Sequence, residues 1–428
     1  MYNIYPLSTY HRIWYSIDVL ESQFTFETII QGGGNMSNSV AKKIMYGVLI
    51  FLIVISVLIS TSVVYLLATN HGNLGQVITV FTLIKSQSIQ DISTRELIEG
   101  SVSGMVEALK DPYSVYLDKT TYDTLQERMR GTYGGVGLLI TKDAEGRLVV
   151  VSPFRGTPAH RAGVAAGDFI TKINDENTAD MELETAASLM QGEPGTEVTI
   201  TIYREGRDPR DVTIIREIIT IPSVDGEILA EEPDIAYINL SMFNENTGEE
   251  LQRHMDELRA EGFKALILDM RNNPGGSLHA AIEVADQFIP EGPVVHIVSK
   301  FKTNTFEAKG PAIDVPVVVL VNSGSASASE IVAGAIQDTG VGILVGEKTF
   351  GKGLVQSLFP IGDGAALKLT TARYLTPGER DINEKGIEPD IEIILTPEET
   401  FEALQDAPDP ANDPQLQKAI EIIKTKIN

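Results

Sequence analysis

The sequence predicts an α/β core preceded by a β-rich module, both standing behind a single membrane-crossing helix. Three observations support this. Residues 44–68, IMYGVLIFLIVISVLISTSVVYLLA, contain no charged residue. From 132 to about 220, short β-branched runs alternate with Gly, Asp and Pro, which is the pattern of strands and turns. From 222 onward, apolar runs such as KALILDM and VPVVVLV alternate with helical stretches.

Composition sets the outer bounds. A chain of 428 residues, 43% hydrophobic and 22% charged, is an ordinary globular balance with room for two or three domains. The net charge of −25, from 59 acidic against 34 basic residues, repels phosphate backbones, so no nucleic-acid partner is expected. The absence of cysteine excludes disulfide frameworks, thiolate metal sites and cysteine nucleophiles. The histidines at 11, 71, 160, 254, 279 and 296 include no HExxH or other close pair, so neither a metal nor another cofactor is expected.

Residues 1–35 are aromatic-rich and aperiodic, and end in QGGGN just before Met36. A purine-rich ribosome-binding site read in frame would give such glycine-rich text, so translation is expected to start at Met36, with 1–43 as a cytoplasmic N-terminus. Residues 44–68 cover a hydrocarbon core of about 30 Å. Lys42 and Lys43 precede them and favour the cytoplasmic side, which places the rest of the chain outside. A cleaved signal peptide is the competing reading. The apolar run exceeds the usual h-region of about 7–15 residues and no small-x-small site follows cleanly, so an uncleaved anchor is expected. Residues 69–131 then read as a helical region, with Leu97, Val102, Met105, Val106 and Leu109 near one face. DPYSVYLD at 111–118 is a break, because Pro112 disfavours helix at the residue before it.

Residues 132–221 form the β-rich module, with YGGVGLLI, RLVVVSPF, TEVTITIYR and DVTIIREII as its strands. The pattern GTPAxxAGVxxGDxIxxIN, from Gly156 to Asn174, resembles a PDZ domain. That resemblance implies capture of a peptide as an added strand, its terminal carboxylate held by backbone amides. The segment that fits is Gly134, Gly135, Val136, Gly137, Leu138 and Leu139, with the two leucines lining an apolar pocket. The alternative is that these glycines only make a tight strand entry.

Residues 222–396 carry the α/β pattern, and near-continuous apolar strands imply a sheet buried on both faces. Ligand sites in such folds lie past the carboxyl ends of strands. Two loops stand there, DMRNNPGGS at 269–277 and NSGSASASE at 322–330. A serine in the second is either a helix cap or a nucleophile beside free helix-terminal amides. A nucleophile needs a base. No histidine lies near a comparable strand end with an acid at hand, although His279 follows the GG loop. Lys352, in TFGKGLVQS at 349–357, is either part of a turn or a base whose pKa burial lowers.

Taken together, NSGSASASEIVAGAIQD and GEKTFGKGLVQS, with 25 positions from Ser327 to Lys352, closely resemble the carboxyl-terminal processing proteases, S41-type serine peptidases with a PDZ domain and a Ser-Lys dyad. The resemblance runs from about residue 80 to the end and includes DPYSVYLD, LDMRNNPGG and KGIEPDI. It departs at TPGERDIN, 376–383, where the family has a TPSG-type loop. It implies a crotonase/ClpP-like α/β protease core with an inserted PDZ domain and helical N- and C-terminal segments, the latter from 397 to 428. Ser327 is implied as nucleophile, Lys352 as base and Gln356 as its assistant. The Ala328 amide and one from Gly275 or Gly276 would hold the oxyanion, each donor contributing roughly 3–4 kcal/mol. Ser325 and Ser329 are left as packing and cap residues.

The resemblance further implies substrates with apolar C-termini, a PDZ domain that gates the site, a homodimer, and a bacterial cell membrane location with the catalytic domains extracytoplasmic. The terminal stretch 414–428 reads as an amphipathic helix with Leu416, Ile420, Ile422 and Ile423 apolar, docking on its own domain or on another subunit. Two rival readings are a catalytically silent membrane-anchored PDZ scaffold or holdase, and an acyl-CoA enzyme acting on thioesters. The presence of Ser327, Lys352 and Gln356 weighs against the first. An outward location with little coenzyme A weighs against the second.

Overall fold

The computed structural model describes residues 38–69, 74–396, 399–400 and 410–427. The reading of residues 1–35 and of a start at Met36 lies outside them. The chain divides into two units, Met1–Glu99 and Gly100–Asn428. In the first, α1 (Asn38–Thr69) contains the uncharged window Met45–Ser62, of mean hydropathy 2.3 and with no part buried in protein. It is long and apolar enough to cross a membrane. Helix α2 (Leu74–Gln87) follows, and α3 (Thr94–Glu107) runs across the unit boundary. Of the apolar face expected there, Val106 is buried, whereas Met105 and Leu109 are 61% and 58% exposed. That face is amphipathic in sequence but largely open.

In the second unit, the break expected at 111–118 contains a strand that the reading of a helical region did not foresee. The β-branched Val115 and aromatic Tyr116, with Leu117 after them, are released by the turn at Pro112 and form strand β1 (Val115–Leu117). Helix α4 (Lys119–Arg130) follows, capped by Asp118, whose Oδ1 accepts from the Thr121 amide at 2.8 Å.

The module comprises β2 (Thr132–Gly135), β3 (Leu138–Lys142), β4 (Leu148–Pro153), α5 (Pro158–Arg161), β5 (Phe169–Ile173), β6 (Glu176–Asn177), α6 (Leu183–Met190), β7 (Glu197–Tyr203), β8 (Arg210–Ile215) and β9 (Glu217–Thr220). Its sheet runs β3-β4-β5-β7-β8, with β6 on β5. Alternation is strict in β7. Val198, Ile200 and Ile202 are buried, while Thr199 and Thr201 hydrogen-bond outside to Thr213 and Asp211. In the GD pair of the glycine motif, Asp168 is buried, ion-paired to Arg204 at 2.5 Å and accepting the Ala165 amide at 2.9 Å. Strands β2 and β9 pair with each other, so the module's entry and exit form one antiparallel ribbon.

The core continues with β10 (Val224–Ile228), β11 (Ile235–Leu240), α7 (Thr247–Glu261), β12 (Ala265–Asp269), α8 (Leu278–Asp286), β13 (Gly292–Ser299), β14 (Thr303–Ala308), β15 (Val317–Val321), α9 (Ala328–Thr339), β16 (Gly342–Gly346), β17 (Leu354–Gly362), β18 (Ala365–Leu375), β19 (Ile391–Glu392) and α10 (Pro414–Ile427). One sheet has the order β10-β11-β12-β15-β16-β19, parallel from β11 to β19. Both faces are buried, as the continuous apolar strands require. Val317, Val319 and Val321 join Leu251, Val284 and Ile331 of the three long helices on one side. Val318 and Leu320 meet Leu416, Ala419, Ile420 and Ile423 of α10 on the other. The terminal helix thus docks on its own domain.

A second sheet, β1-β18-β13-β14 with β17 on the other edge of β18, packs beyond those helices. Because β1 pairs with β18, the core begins before the module and resumes after it. The divergent loop 376–383 is clipped to the end of α9. The Gly378 amide donates to Asp338 Oδ2 at 2.7 Å, and Arg380 pairs with the same carboxylate.

Candidate active site

The three serines at 325, 327 and 329 have different fates. Ser325 Oγ donates to the Met270 carbonyl at 2.8 Å and accepts from the Asn322 amide at 3.0 Å. Ser329 Oγ donates to the Asn273 carbonyl at 2.9 Å. Both residues are fully buried, and both hydroxyls fasten the turn after β15 to the loop after β12. Ser327, between them at the head of α9, is partly exposed and has φ 55° and ψ −109°. A side chain held there costs about 1–3 kcal/mol, a strain that clusters at working sites.

Glu330, which the sequence reading passed over, joins this turn to the loop that carries Lys352. It is completely buried three residues after Ser327. Its Oε2 accepts the amides of Ser327 at 2.8 Å and of Lys352 at 2.9 Å. Its Oε1 accepts the Thr349 hydroxyl at 2.6 Å and the Gly351 amide at 2.8 Å. The main chains of Ser327 and Lys352 therefore lie within two hydrogen-bond lengths of each other through a single oxygen. The signal was available, since Ser-x-x-Glu at a helix start is the capping-box pattern. Tyr374, also missed, donates its hydroxyl to the Ser327 carbonyl at 2.9 Å. Burial, with the Glu330 charge adding to it, pushes this phenol well above its ordinary pKa and keeps it a donor.

Lys352 follows β16 on a loop that only glycine allows to close. A Cβ on Gly351, at φ 90°, would lie 2.8 Å from the Gly386 amide nitrogen. The Lys352 side chain is half-buried, and burial lowers its pKa. The charge of Lys368 lowers it further, and Glu330 opposes both. Its Nζ lies 4.8 Å from the centre of the Tyr113 ring. Gln356 lies on β17, which starts just after this loop, at an irregularity in the pairing with β18, and its Nε2 is buried without a hydrogen-bond partner. Its cross-strand neighbour Thr370 also has a buried, unpartnered hydroxyl.

The glycines of the 269–277 loop reach the serine. A Cβ built on Gly275, which has φ 95°, would lie 2.8 Å from the Ala328 amide nitrogen and 2.9 Å from Ser327 Cβ. Any side chain there would fill the space in front of the first turn of α9. The Gly275 amide itself is committed to Asn273 Oδ1 at 2.9 Å, and its carbonyl to the Phe243 amide at 3.0 Å. Of the two candidate glycines, Gly276 is thus the one whose amide is not taken up by Asn273. His279 is exposed on the outer side of α8, its ring 3.2 Å from Glu283, and takes no part in the arrangement around Glu330. No cluster able to hold a metal ion occurs among the described residues.

In the module, Gly134 and Gly135 lie in the β2 ladder opposite Ile218 and Glu217. Val136 is buried, and its carbonyl accepts the Ala159 amide at 3.0 Å. Gly137 follows with φ 79° and leads into β3. Leu138 packs on the module core, while Leu139 is 47% exposed. Strand β3 is the edge of its sheet, beside α6, and is the strand to which a peptide could be added.

Comparison with known sequences accords with this geometry. Residues 234–393 match Peptidase family S41, 149–204 match the PDZ domain, and 62–121 match the activating protease CtpB N-terminal domain. A carboxy-terminal-processing protease of Bartonella bacilliformis is 39% identical over 323 residues, 73% of this chain and 73% of that protein. A carboxyl-terminal-processing protease of Synechocystis sp. is 38% identical over 338 residues, 78% of each chain. The carboxy-terminal processing protease CtpA of Bacillus subtilis is 33% identical over 363 residues, 81% of this chain and 77% of that one.

Proposed function

From the premise that the chain belongs to peptidase family S41, the carboxy-terminal processing serine proteases, we propose that it cleaves peptide bonds with Ser327 as nucleophile and Lys352 as general base, assisted by Gln356. The observation that supports this most directly is the sharing of Glu330 Oε2 by the Ser327 and Lys352 amides. A buried carboxylate that organises both loops keeps nucleophile and base in register.

The neutral Lys352 amine takes the Ser327 hydroxyl proton as the oxygen attacks the scissile carbonyl. The resulting oxyanion lies at the start of α9, where the Ala328 amide and one amide of the Gly275–Gly276 turn supply donors. The C–N bond then breaks, the Lys352 ammonium returns its proton to the leaving amine, and an ester to Ser327 remains. Water, activated by the same amine, hydrolyses this ester. Lowering of the Lys352 pKa by burial supports the role, because only the unprotonated amine accepts a proton.

In this reading the substrate is a protein with an apolar C-terminus, laid along β3 with its carboxylate at the Val136–Leu139 turn. Helix α1 anchors the enzyme in the membrane, with the catalytic domains on the extracytoplasmic side. The exposed apolar residues Val77, Val80 and Leu83 of α2 and Met105 of α3 support a homodimer joined through the N-terminal helices. The test uses the full-length chain in detergent with a peptide ending in apolar residues, products being read by mass spectrometry. Wild type is expected to cleave, and Ser327→Ala and Lys352→Ala to lose activity by on the order of 10⁴-fold or more. Binding of the peptide without cleavage by any of the three would make the protein a scaffold instead.

A further inference from the structure

Residues 111–114 read in the sequence as a chain break within the family resemblance, yet they end against the base. The Asp111 carboxylate accepts the Tyr113 amide at 3.1 Å and the Ser114 hydroxyl at 2.5 Å. Buried Ser114 accepts the Thr370 amide at 3.0 Å. Thr370 in turn lies across the strand pair from Gln356. The turn that presents Tyr113 is therefore fastened to the strand opposite the residue expected to assist Lys352. From this turn the Tyr113 ring faces Lys352 Nζ, 4.8 Å from the ring centre.

An aromatic face attracts an ammonium but not a neutral amine. A neutral amine has a lone pair and suits a donor that lacks an acceptor. Both partners are present here. The ring lies under the amine, and Gln356 Nε2 is buried without an acceptor. We propose that Tyr113 is a positioning residue for the base: its ring holds the Lys352 side chain in the charged resting state, and loss of the proton frees the amine to turn towards Ser327 and Gln356. The inference rests on Lys352 being the base.

The charged groups acting on Lys352 are Lys368 from β18, which disfavours the ammonium, and Glu330 from α9, which favours it. On the 111–114 turn, the Asp111 carboxyl lies below its ordinary range. Burial opposes this shift, and the hydrogen bonds from the Ser114 hydroxyl and the turn amides outweigh it. Tyr113 adds a face that favours the ammonium, so its removal moves the acid limb of the rate profile to lower pH.

The test is kcat/KM against pH, together with kcat and the melting temperature, for full-length wild type, Tyr113→Phe, Tyr113→Leu and Tyr113→Trp. The phenylalanine variant is expected to keep the wild-type profile. The leucine variant should lose about tenfold in kcat and shift its acid limb downward, and the tryptophan variant should shift it upward. An acid limb that stays fixed in both the leucine and tryptophan variants overturns the proposal, as does a phenylalanine variant that behaves like leucine. Wild-type cleavage by Lys352→Ala would instead remove the base itself, a failure visible without any Tyr113 variant.

Discussion

Two charged side chains are shut into the core past the carboxyl ends of neighbouring strands, and they are compensated by opposite means. Arg271, after β12, is met by charge: Asp269 at 2.6 Å and Asp413 at 2.8 Å, with Gln415 Oε1 at 3.1 Å and Tyr237 donating to Asp269 at 2.7 Å. Glu330, after β15, is met by three amides and one hydroxyl, and no ion pair to it occurs among the described residues. The first cluster fixes architecture, since Asp413 and Gln415 belong to the start of α10 and tie that helix to the sheet. The second gathers the two loops to which the proposed mechanism assigns the chemistry. Had the Lys352 ammonium supplied the compensation, the pairing would have held the lysine charged and withdrawn it as a base. Backbone dipoles hold the carboxylate without that consequence.

The comparison can be broken most directly at Arg271. Arg271→Met leaves Asp269 and Asp413 buried without a cation and is expected to cost about 3–5 kcal/mol of stability. Chemical denaturation should record that loss, and limited proteolysis should show α10 released, while kcat of the molecules still folded stays near wild type. Glu330→Gln is the counterpart. It sets an NH₂ among groups that are all donors, so the serine and lysine loops lose their common acceptor. Single-turnover kinetics should show cleavage falling by about 100-fold or more, with peptide binding to the module unchanged. If Arg271→Met abolished kcat at full stability, the division of labour would be wrong.

The difference between the two clusters also marks what could be read in advance. Runs such as VPVVVLV read as strands buried on both faces, and alternation of Val317–Val321 between two cores bears this out. The loops at 269–277 and 322–330 were legible because parallel sheets place sites past their strand ends. Contacts far apart in sequence were not legible. Nothing local to DPYSVYLD says that Ser114 will bond Thr370 or that Tyr113 will face Lys352. Glu330 lay within the motif, but a glutamate that caps its helix and one that also gathers a loop beginning at Thr349 look alike in sequence. The commitment of the Gly275 amide to Asn273 depends on a side-chain rotation that spacing does not encode. The apolar face of α3 shows the converse limit, since periodicity foretells a face but not what covers it.

A smaller effect sharpens the electrostatic side of the comparison. Lys352 titrates below the ordinary lysine range because of burial first and the Lys368 charge second. In the proposed mechanism the active form is the neutral amine, so activity should fall as pH drops through that lowered pKa. Lys368→Gln removes the second cause and leaves burial and Glu330. The Lys352 pKa then rises, and the acid limb of kcat/KM should move to higher pH with the alkaline plateau unchanged. A limb that stays in place would mean that burial alone sets the base.

The smallest expected effect distinguishes the serines. Ser325→Ala removes the donor to Met270 O and the acceptor of the Asn322 amide, both buried, and should cost about 1–3 kcal/mol while catalysis survives within roughly tenfold. Ser327→Gly should do the reverse. At φ 55° and ψ −109° a side chain is strained and glycine is not, so the variant is expected to be more stable by up to about 1 kcal/mol and inactive. Thermal melts beside a cleavage assay separate the two. Opposite signs of stability and activity at positions two residues apart would mean that the run keeps strain only at the serine used for chemistry. A destabilised Ser327→Gly would mean that the Ser327 side chain contributes to packing after all, and that the strain argument for its role fails.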